Sequence, residues 1–233
     1  MTFTAVARDA ALLFADPERL SREIPFLKDW IDDAESLLDV GCGSGDHLAA
    51  VADRVAHAEG IDPEAGMVAL ARERHPGLSV GQAGAETPPA GPWQRIMLLG
   101  NVFGCLPDPA VALRLLAKEL SPDGSLLIQV PDRAAEVPPT RAVARHAADG
   151  DTIVAKLLHH CGDHYLLDLI SHHRRLDGFW EHDVQHQRLH AFDAEQLRLV
   201  AAGAGLRERA LYGNLRGGPP GSGTDLVLIA EVA

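Results

Sequence analysis

The stretch Leu37-Leu-Asp-Val-Gly-Cys-Gly-Ser-Gly-Asp-His-Leu48 decides the fold: an apolar run ends in Asp39-Val40, and glycine then recurs at Gly41, Gly43 and Gly45. A buried strand that runs through bare backbone into a helix presents unencumbered amides to a ligand at the carboxyl end of a parallel strand. Spacing and charge narrow the choice of ligand. The dinucleotide fingerprint G-x-G-x-x-G needs glycine at position 46, where this chain has Asp46. Carboxylates at 39 and 46 also oppose a pyrophosphate, whose charge is stabilised by helix N-termini and cationic side chains. A ligand with ammonium and sulfonium groups and no phosphate tolerates those carboxylates and profits from them.

Outward from the loop, the next apolar run ends "GIDPEAGM", with Asp62 17 positions beyond Gly45. An acidic residue there can accept both hydroxyls of a ribose, or it can cap a helix opening at Pro63. The upstream glycines favour the ligand role. Strands are expected near 36–40, 57–61, 78–81, 94–100 and 125–130, with helical periodicity over 46–54, 64–74 and 109–120. Asp62-Pro63 and Asp108-Pro109 read as helix starts, and Ser121-Pro-Asp-Gly124 as the turn into the fifth strand. An amphipathic helix over 18–32, with Leu20, Ile24, Leu27 and Ile31 on one face, is expected to cover one end of the sheet.

After Pro131 the pattern changes. A polar segment over 132–150 leads to the strand-like runs "TIVAKLLHH", "HYLLDLISHH" and "FWEHDVQHQRLHAF", separated by turns short enough to force antiparallel pairing. A helix over 194–202 and the runs "LRERALY" and "DLVLIAEV" then restore the first pattern, with "RGGPPGSG" as an expected mobile connection. The expected architecture is α/β: a Rossmann-like, seven-stranded, mostly parallel sheet with helices on both faces. It forms a single domain over 1–233, with an antiparallel insertion after the fifth strand at 132–191.

A chain of 233 residues, 46% hydrophobic, can bury a sizeable core. Its net charge of −12 argues against nucleic acid, since such binders need clustered Lys and Arg. No leader-like segment opens it, and no apolar run approaches the roughly 20 residues that span a bilayer, so a soluble, cytoplasmic protein without a membrane partner is expected. Cys42, Cys105 and Cys161 are scattered without C-x-x-C pairing, as small structural side chains in a reducing compartment would be.

Three stretches, "LLDVGCGSGDHL", "GIDPEAGMVALARER" and "LAKELSPDGSLLIQV", look like the motifs of class I S-adenosylmethionine-dependent methyltransferases and occur in their order, and the chain resembles that family over most of 10–131. The resemblance implies S-adenosyl-L-methionine as cofactor and S-adenosyl-L-homocysteine as product. It implies that Gly41, Gly43 and Gly45 back the methionine part, that Asp39 meets its amino end and that Asp62 holds the ribose. Pro63 and Met67 would then lie near the adenine. The family often carries an Asp or Asn after the third strand to read the adenine amino group, with the neighbouring backbone N–H reading the ring. The matching positions here are Gly84 and Ala85, so Gln82, Glu86 or the backbone alone must serve. "LLGNVFGCLPD" resembles the Gly-Asn-x-Phe-x-x-Leu stretch of glycine N-methyltransferase-like and amino-sugar N-methyltransferase enzymes. It implies a small-molecule acceptor, with Gly100 and Asn101 near the sulfonium and Asn101 and Phe103 against the acceptor. Alternatively, Asn101 and Phe103 only shape the turn.

Methyl transfer from a sulfonium needs an acceptor held in line and, for an ammonium or hydroxyl, a proton acceptor. Nine of the 12 histidines fall between His146 and His190. Strand alternation puts Trp180, His182, Val184, His186, Arg188 and His190 on one face. Three readings stand: a solvated or dimer-forming face; an acceptor pocket in which one or two histidines act with Tyr165 or Arg174 as base and anchor; or a metal site built from adjacent strands, since i, i+4 positions on one strand lie about 13 Å apart. The base candidates are His159, His164, Tyr165 and His186, none preferred, with Tyr165 and Arg174 also candidates for binding the acceptor. No resident metal is expected. In related enzymes such an insertion lids the acceptor pocket or forms a homodimer. Phe14, Arg19 and Arg22 either close over the cofactor, an arginine meeting its carboxylate, or solvate a helix. Methylation of a small molecule is therefore expected, nitrogen slightly ahead of oxygen. The rivals are a non-catalytic cofactor-binding regulatory or assembly protein, an NAD-dependent dehydrogenase and a metal-dependent O-methyltransferase.

Overall fold

A computed structural model describes residues 7–14, 16–148 and 150–233, apart from the side chains of Arg8 and Phe14. The apolar run before the glycines is β1 (Ser36–Val40), an interior strand of a seven-stranded sheet. Around it lie β2 (His57–Asp62), β3 (Ser79–Gln82), β4 (Trp93–Leu98), β5 (Leu120–Pro131), β10 (Leu206–Tyr212) and β11 (Asp225–Val232), in the order β10-β11-β5-β4-β1-β2-β3. β1 to β5 pair in parallel, and β11 runs antiparallel to both β5 and β10. Strand order reverses between β1 and β4, which opens a crevice at their carboxyl ends, the place where such sheets bind ligands.

Period-2 alternation divides the core between two helical layers. Leu38, Ile96, Leu98, Leu126 and Ile128 pack towards α6 (Pro109–Lys118) and α7 (Ala194–Gly203). Leu37, Met97, Leu127 and Val227 pack towards α2 (Pro17–Ile31) and α3 (Asp46–Val51). The expected helix over 18–32 therefore covers a face of the sheet, not one end, because Leu27, Trp30 and Ile31 bury onto four different strands. α4 (Ala65–Arg74) opens behind Glu64, not at Pro63: Asp62 Oδ1 accepts from the Glu64 amide before the helix begins and leaves the first turn without a side-chain cap. Asp108 does cap α6, accepting from Val111 N at 2.9 Å. Residues 121–124 bulge within β5, since Leu120 faces Trp93 while Ser125 faces Arg95.

The insertion is a second, four-stranded antiparallel sheet, β6-β7-β8-β9. β7 (Thr152–His160), β8 (His164–Arg174) and β9 (Trp180–His190) match the three expected runs. β6 (Thr140–His146) went unread, because "TRAVARH" is mostly exposed and has no clear polar alternation. α1 (Ala7–Phe14) and the short α5 (Val102–Cys105) were also unread. α1 buries Ala7, Ala10 and Leu13 against Met67 of α4 and Val154 and Leu169 of the insertion. A Cβ on Gly104 of α5 would lie 3.0 Å from the His190 carbonyl, so glycine there lets β9 approach the segment after β4.

The loop expected to be mobile is cross-braced by Asn214, whose Oδ1 accepts from Arg216 N and Gly218 N while Nδ2 donates to Ser222 Oγ. Cys161 is exposed, unlike the half-buried Cys42 and Cys105, whose thiol pKa values burial pushes up. Among the described residues, no helix is long and apolar enough to cross a membrane, and no three His, Cys, Asp or Glu side chains converge to hold a metal ion.

Candidate functional site

Gly41, Gly43 and Gly45 all adopt positive φ. At Gly41 (φ 74°) the need for glycine is double, because a Cβ would also lie 2.6 Å from both Val102 methyls. Gly43 (φ 55°) faces open space, with no atom within 4 Å of where a Cβ would stand. Its amide donates to Asp62 Oδ2 at 2.9 Å, and the Gly41 and Cys42 amides donate to Ile61 O, so the loop is stapled to the end of β2.

The carboxylates around this loop fall into two groups. Asp46 is occupied: it takes bonds from Ser44 Oγ, Arg74 and His75 on the side of α4. Its charge is spent there, and that part of the sequence argument against a pyrophosphate does not hold. Asp39 is 2% exposed, and burial together with the Asp62 charge pushes its pKa up to about 8. Asp62 is also buried; burial raises its pKa against the pull of the Glu64 and Gly43 amides. Both of its oxygens are oriented by backbone donors and keep lone pairs for a diol. Glu64 keeps Oε2 buried with no hydrogen-bond partner among the described residues.

Beyond β3, Gln82 turns away to donate to Pro63 O at 3.1 Å, whereas Glu86 Oε2 lies 2.6 Å from where a Cβ on Gly84 would be. Of the two, Glu86 stands beside Gly84. Ala85 is buried in the main core, and Met67 is buried at the start of α4. The glycine cradle at Gly43, the acceptor left over on Glu64 and the all-acidic set Asp39, Asp62, Glu64 and Glu86 suit a cationic, phosphate-free nucleoside such as S-adenosylmethionine.

Gly100 (φ 66°) and Asn101 follow β4, and Val102 beyond them packs on Gly41. On the other side of this segment lies a cleft of about 200 Å³ whose polar lining is Arg19, Asn101, Gln129, Arg141, Lys156 and Asp225. Gln129, 2% exposed, ties it together: its Oε1 accepts from Gly100 N at 2.9 Å, and its Nε2 donates to Asp225 Oδ2 at 2.8 Å. Arg19 donates through Nε to Glu23, which also holds His47, and its NH2 lies 3.7 Å from the Cβ position of Gly100. Arg19 thus lines the cleft, whereas Arg22 is exposed and the Phe14 side chain lies outside the described residues.

The base and acceptor candidates from the insertion do not reach this cleft. His159 and His186 point away from it and share Asp168, at 3.1 and 2.7 Å. His164 pairs with Asp163 at the β7–β8 turn, and Arg174 is exposed near Asp151. Tyr165 is 1% exposed and donates its hydroxyl to Asp132 O at 3.0 Å, and burial raises its pKa, so it braces the insertion. Phe103 is fully buried against Phe192, with ring centroids 5.2 Å apart, and supports the turn from beneath.

Alternation is the physical reason: each chosen histidine lies on the outward face of its strand, while Lys156 shares the inward face of β7 with buried Val154 and Leu158. That lysine amid apolar neighbours, and the glutamine within "LLIQV", were the available signals. Arg141 carried none, because β6 itself went unread.

A family model described as "Methyltransferase domain" matches residues 13–210. Curated relatives include a trans-aconitate 2-methyltransferase of Methylobacterium nodulans, 32% identical over 52% of this chain and 47% of that protein. They also include a dTDP-3-amino-3,6-dideoxy-alpha-D-glucopyranose N,N-dimethyltransferase of Streptomyces fradiae, 27% identical over 82% of this chain and 75% of that protein. The chain spans about half the length of the trans-aconitate enzymes it matches first. Among solved structures, a sugar N-methyltransferase from Streptoalloteichus sp. shares the fold with a TM-score of 0.79, at 22% identity over 96% of this chain and 93% of that one. A SAM-bound amino pentose methyltransferase from Micromonospora echinaspora gives 0.66, at 22% identity over 99% and 91%. With the family model matching residues 13–210, most of its length, the chain belongs to the class I S-adenosylmethionine-dependent methyltransferases.

Proposed function

We propose that the protein methylates a nitrogen of a small molecule bound in the cleft beside Asn101. The observation that carries the choice of nitrogen is Asp225, a carboxylate lining the cleft and held in place by Gln129. Burial raises its pKa, which suits a group that must take a proton from an acceptor ammonium.

When bound, S-adenosylmethionine supplies a methyl on a sulfonium, an electrophile that needs no metal. The work left to this chain is positional. Asp62 fixes the nucleoside, Asp39 meets the ammonium, Arg19 is placed for the cofactor carboxylate, and Gly100 and Asn101 border the reacting centre. Asp225 accepts the proton released as the acceptor nitrogen forms its new bond to carbon. The curated relative matched over 82% of the chain is named as an N,N-dimethyltransferase.

The second reading, O-methylation of an acid, draws on the relatives named trans-aconitate 2-methyltransferase. A carboxylate acceptor is already ionised and needs no base. Labelled methyl transfer from S-adenosylmethionine to parallel panels of small amines and small acids separates the two. Product from the amine panel, with kcat reduced about 10²–10⁴-fold in Asp225→Asn and cofactor affinity unchanged, is the expected result. Product from acids alone, untouched by Asp225→Asn, would establish the oxygen-directed reading. Tight cofactor binding with no turnover on either panel would favour a regulatory protein.

A further inference from the structure

Gln129 is the one polar residue in the run Leu126-Leu-Ile-Gln-Val130, and alternation puts it on the face of β5 that Leu127 turns towards α2 and α3. At 2% exposure its amide is costly to bury unless hydrogen-bonded. Both ends are used, in opposite directions: Oε1 accepts from Gly100 N at 2.9 Å, and Nε2 donates to Asp225 Oδ2 at 2.8 Å. A backbone N–H can only donate, so the amide has a single orientation, oxygen towards Gly100 and NH2 towards Asp225. Gly100, at φ 66°, turns the chain out of β4 into the segment beside the cleft. Asp225 opens β11, where Val227 stands opposite Gln129, so Asp225 is its diagonal neighbour on the same face. One buried side chain thus bridges the exit of β4 and the start of β11.

We infer that Gln129 is a positioning residue for methyl transfer, joining the backbone that borders the reacting centre to the carboxylate that takes the acceptor's proton. This rests on the nitrogen-directed reading and adds to it how the two sides of the site are held in register. The amide cannot turn over, because its oxygen would then face the carboxylate and its NH2 the Gly100 N–H. A shift at either end is therefore passed to the other. Burial raises the Asp225 pKa, and the Gln129 NH2 pulls against it by bonding the ionised form. Arg19 of α2 and Arg141 of β6 pull the same way, while Glu23 of α2 opposes them. Lys156 of β7 and Tyr165 of β8 also act on this carboxylate.

The test is a pH titration by NMR of the wild type, Gln129→Met and Gln129→Glu, with and without saturating S-adenosylhomocysteine. It follows the Asp225 carboxyl carbon, identified by its loss in Asp225→Asn, and the Gly100 amide. In the wild type the Gly100 amide should move with the Asp225 midpoint. In Gln129→Met that midpoint should rise and the Gly100 amide should stop following it, because the NH2 that favours the ionised acid is gone. Gln129→Glu keeps an acceptor for Gly100 but sets a second carboxylate against Asp225, so its midpoint should rise as well. With the amine that the panel identifies as acceptor, the acid limb of kcat/KM should move to higher pH in both variants, since Asp225 must be ionised to take a proton. The kcat should fall roughly tenfold to a hundredfold. A merely structural glutamine would lower activity without moving the limb. A Gly100 amide indifferent to Asp225 in the wild type overturns the inference, as does an unmoved Asp225 midpoint in a variant that circular dichroism shows to be folded. If Gln129→Met does not fold, Gln129→Glu carries the comparison. If no amine is methylated, the nitrogen-directed reading falls instead, and the two NMR signals still decide whether Gln129 links Gly100 to Asp225.

Discussion

Asp62→Ala should weaken binding of S-adenosylhomocysteine by roughly a hundredfold to ten-thousandfold, measured by calorimetry, with the protein still folded. The carboxylate is oriented by the Gly43 and Glu64 amides at 2.9 Å each, so the direction of its remaining lone pairs is fixed. Two charge-assisted hydrogen bonds to a ribose are each worth about 1.5–3 kcal/mol, and alanine forfeits both. It also releases the staple on Gly43, which loosens the loop that backs the methionine part. Asp62→Asn separates these effects, because its amide oxygen can still receive one backbone donor while its NH2 cannot accept from a hydroxyl. It should retain more affinity than alanine. Equal affinity in the wild type and Asp62→Ala would mean that the acid is only a local turn former and that the ribose lies elsewhere.

Asp39→Asn should make the ligand-free protein more stable and its cofactor binding weaker. The folded pKa of about 8 stands well above the ordinary carboxylate value, so the folded state holds a proton that the unfolded chain gives up. For a raised carboxylate, stability is greatest below the unfolded pKa and falls as pH rises from about 4 to about 8, levelling beyond that. At pH 7 the loss from this group is on the order of 4 kcal/mol. Asparagine keeps the shape and removes the ionisation, so its melting temperature should exceed that of the wild type at pH 8 and vary less with pH. Ligand binding gives the complementary signature. An ammonium beside Asp39 favours the ionised form, so binding at pH 7 should release roughly one proton from the wild type, seen as a dependence of heat on buffer, and none from the variant. A wild type whose binding releases no proton would place the ammonium away from Asp39. The two variants together describe a site that sacrifices apo stability for charge complementarity to its ligand.

Much of the sheet was legible because its strands are buried on both faces and bounded by glycine, proline and aspartate. β1 and β11 match their expected runs for that reason, β7 and β10 match theirs through turn and glycine boundaries, and the glycine loop followed from three glycines with a carboxylate on either side. β6 was not legible. It pairs through its backbone with β7, and nothing in its own exposed side chains announces the partner.

By itself, the sequence determined the parallel sheet, the place of the insertion and the carboxylates that surround the glycine loop. These are properties of short segments, in which burial, turn chemistry and spacing act locally. Only the tertiary structure decided which insertion residues meet the cleft. A one-residue change of phase along a strand exchanges its two faces, and the sheet as a whole must dock before one face becomes interior. Docking turned His159, His164 and His186 away and brought Arg141 and Lys156 to Asn101, Gln129 and Asp225. Residues as far apart in the chain as Arg19 and Asp225 thus share one cleft, a proximity set by how the two sheets pack.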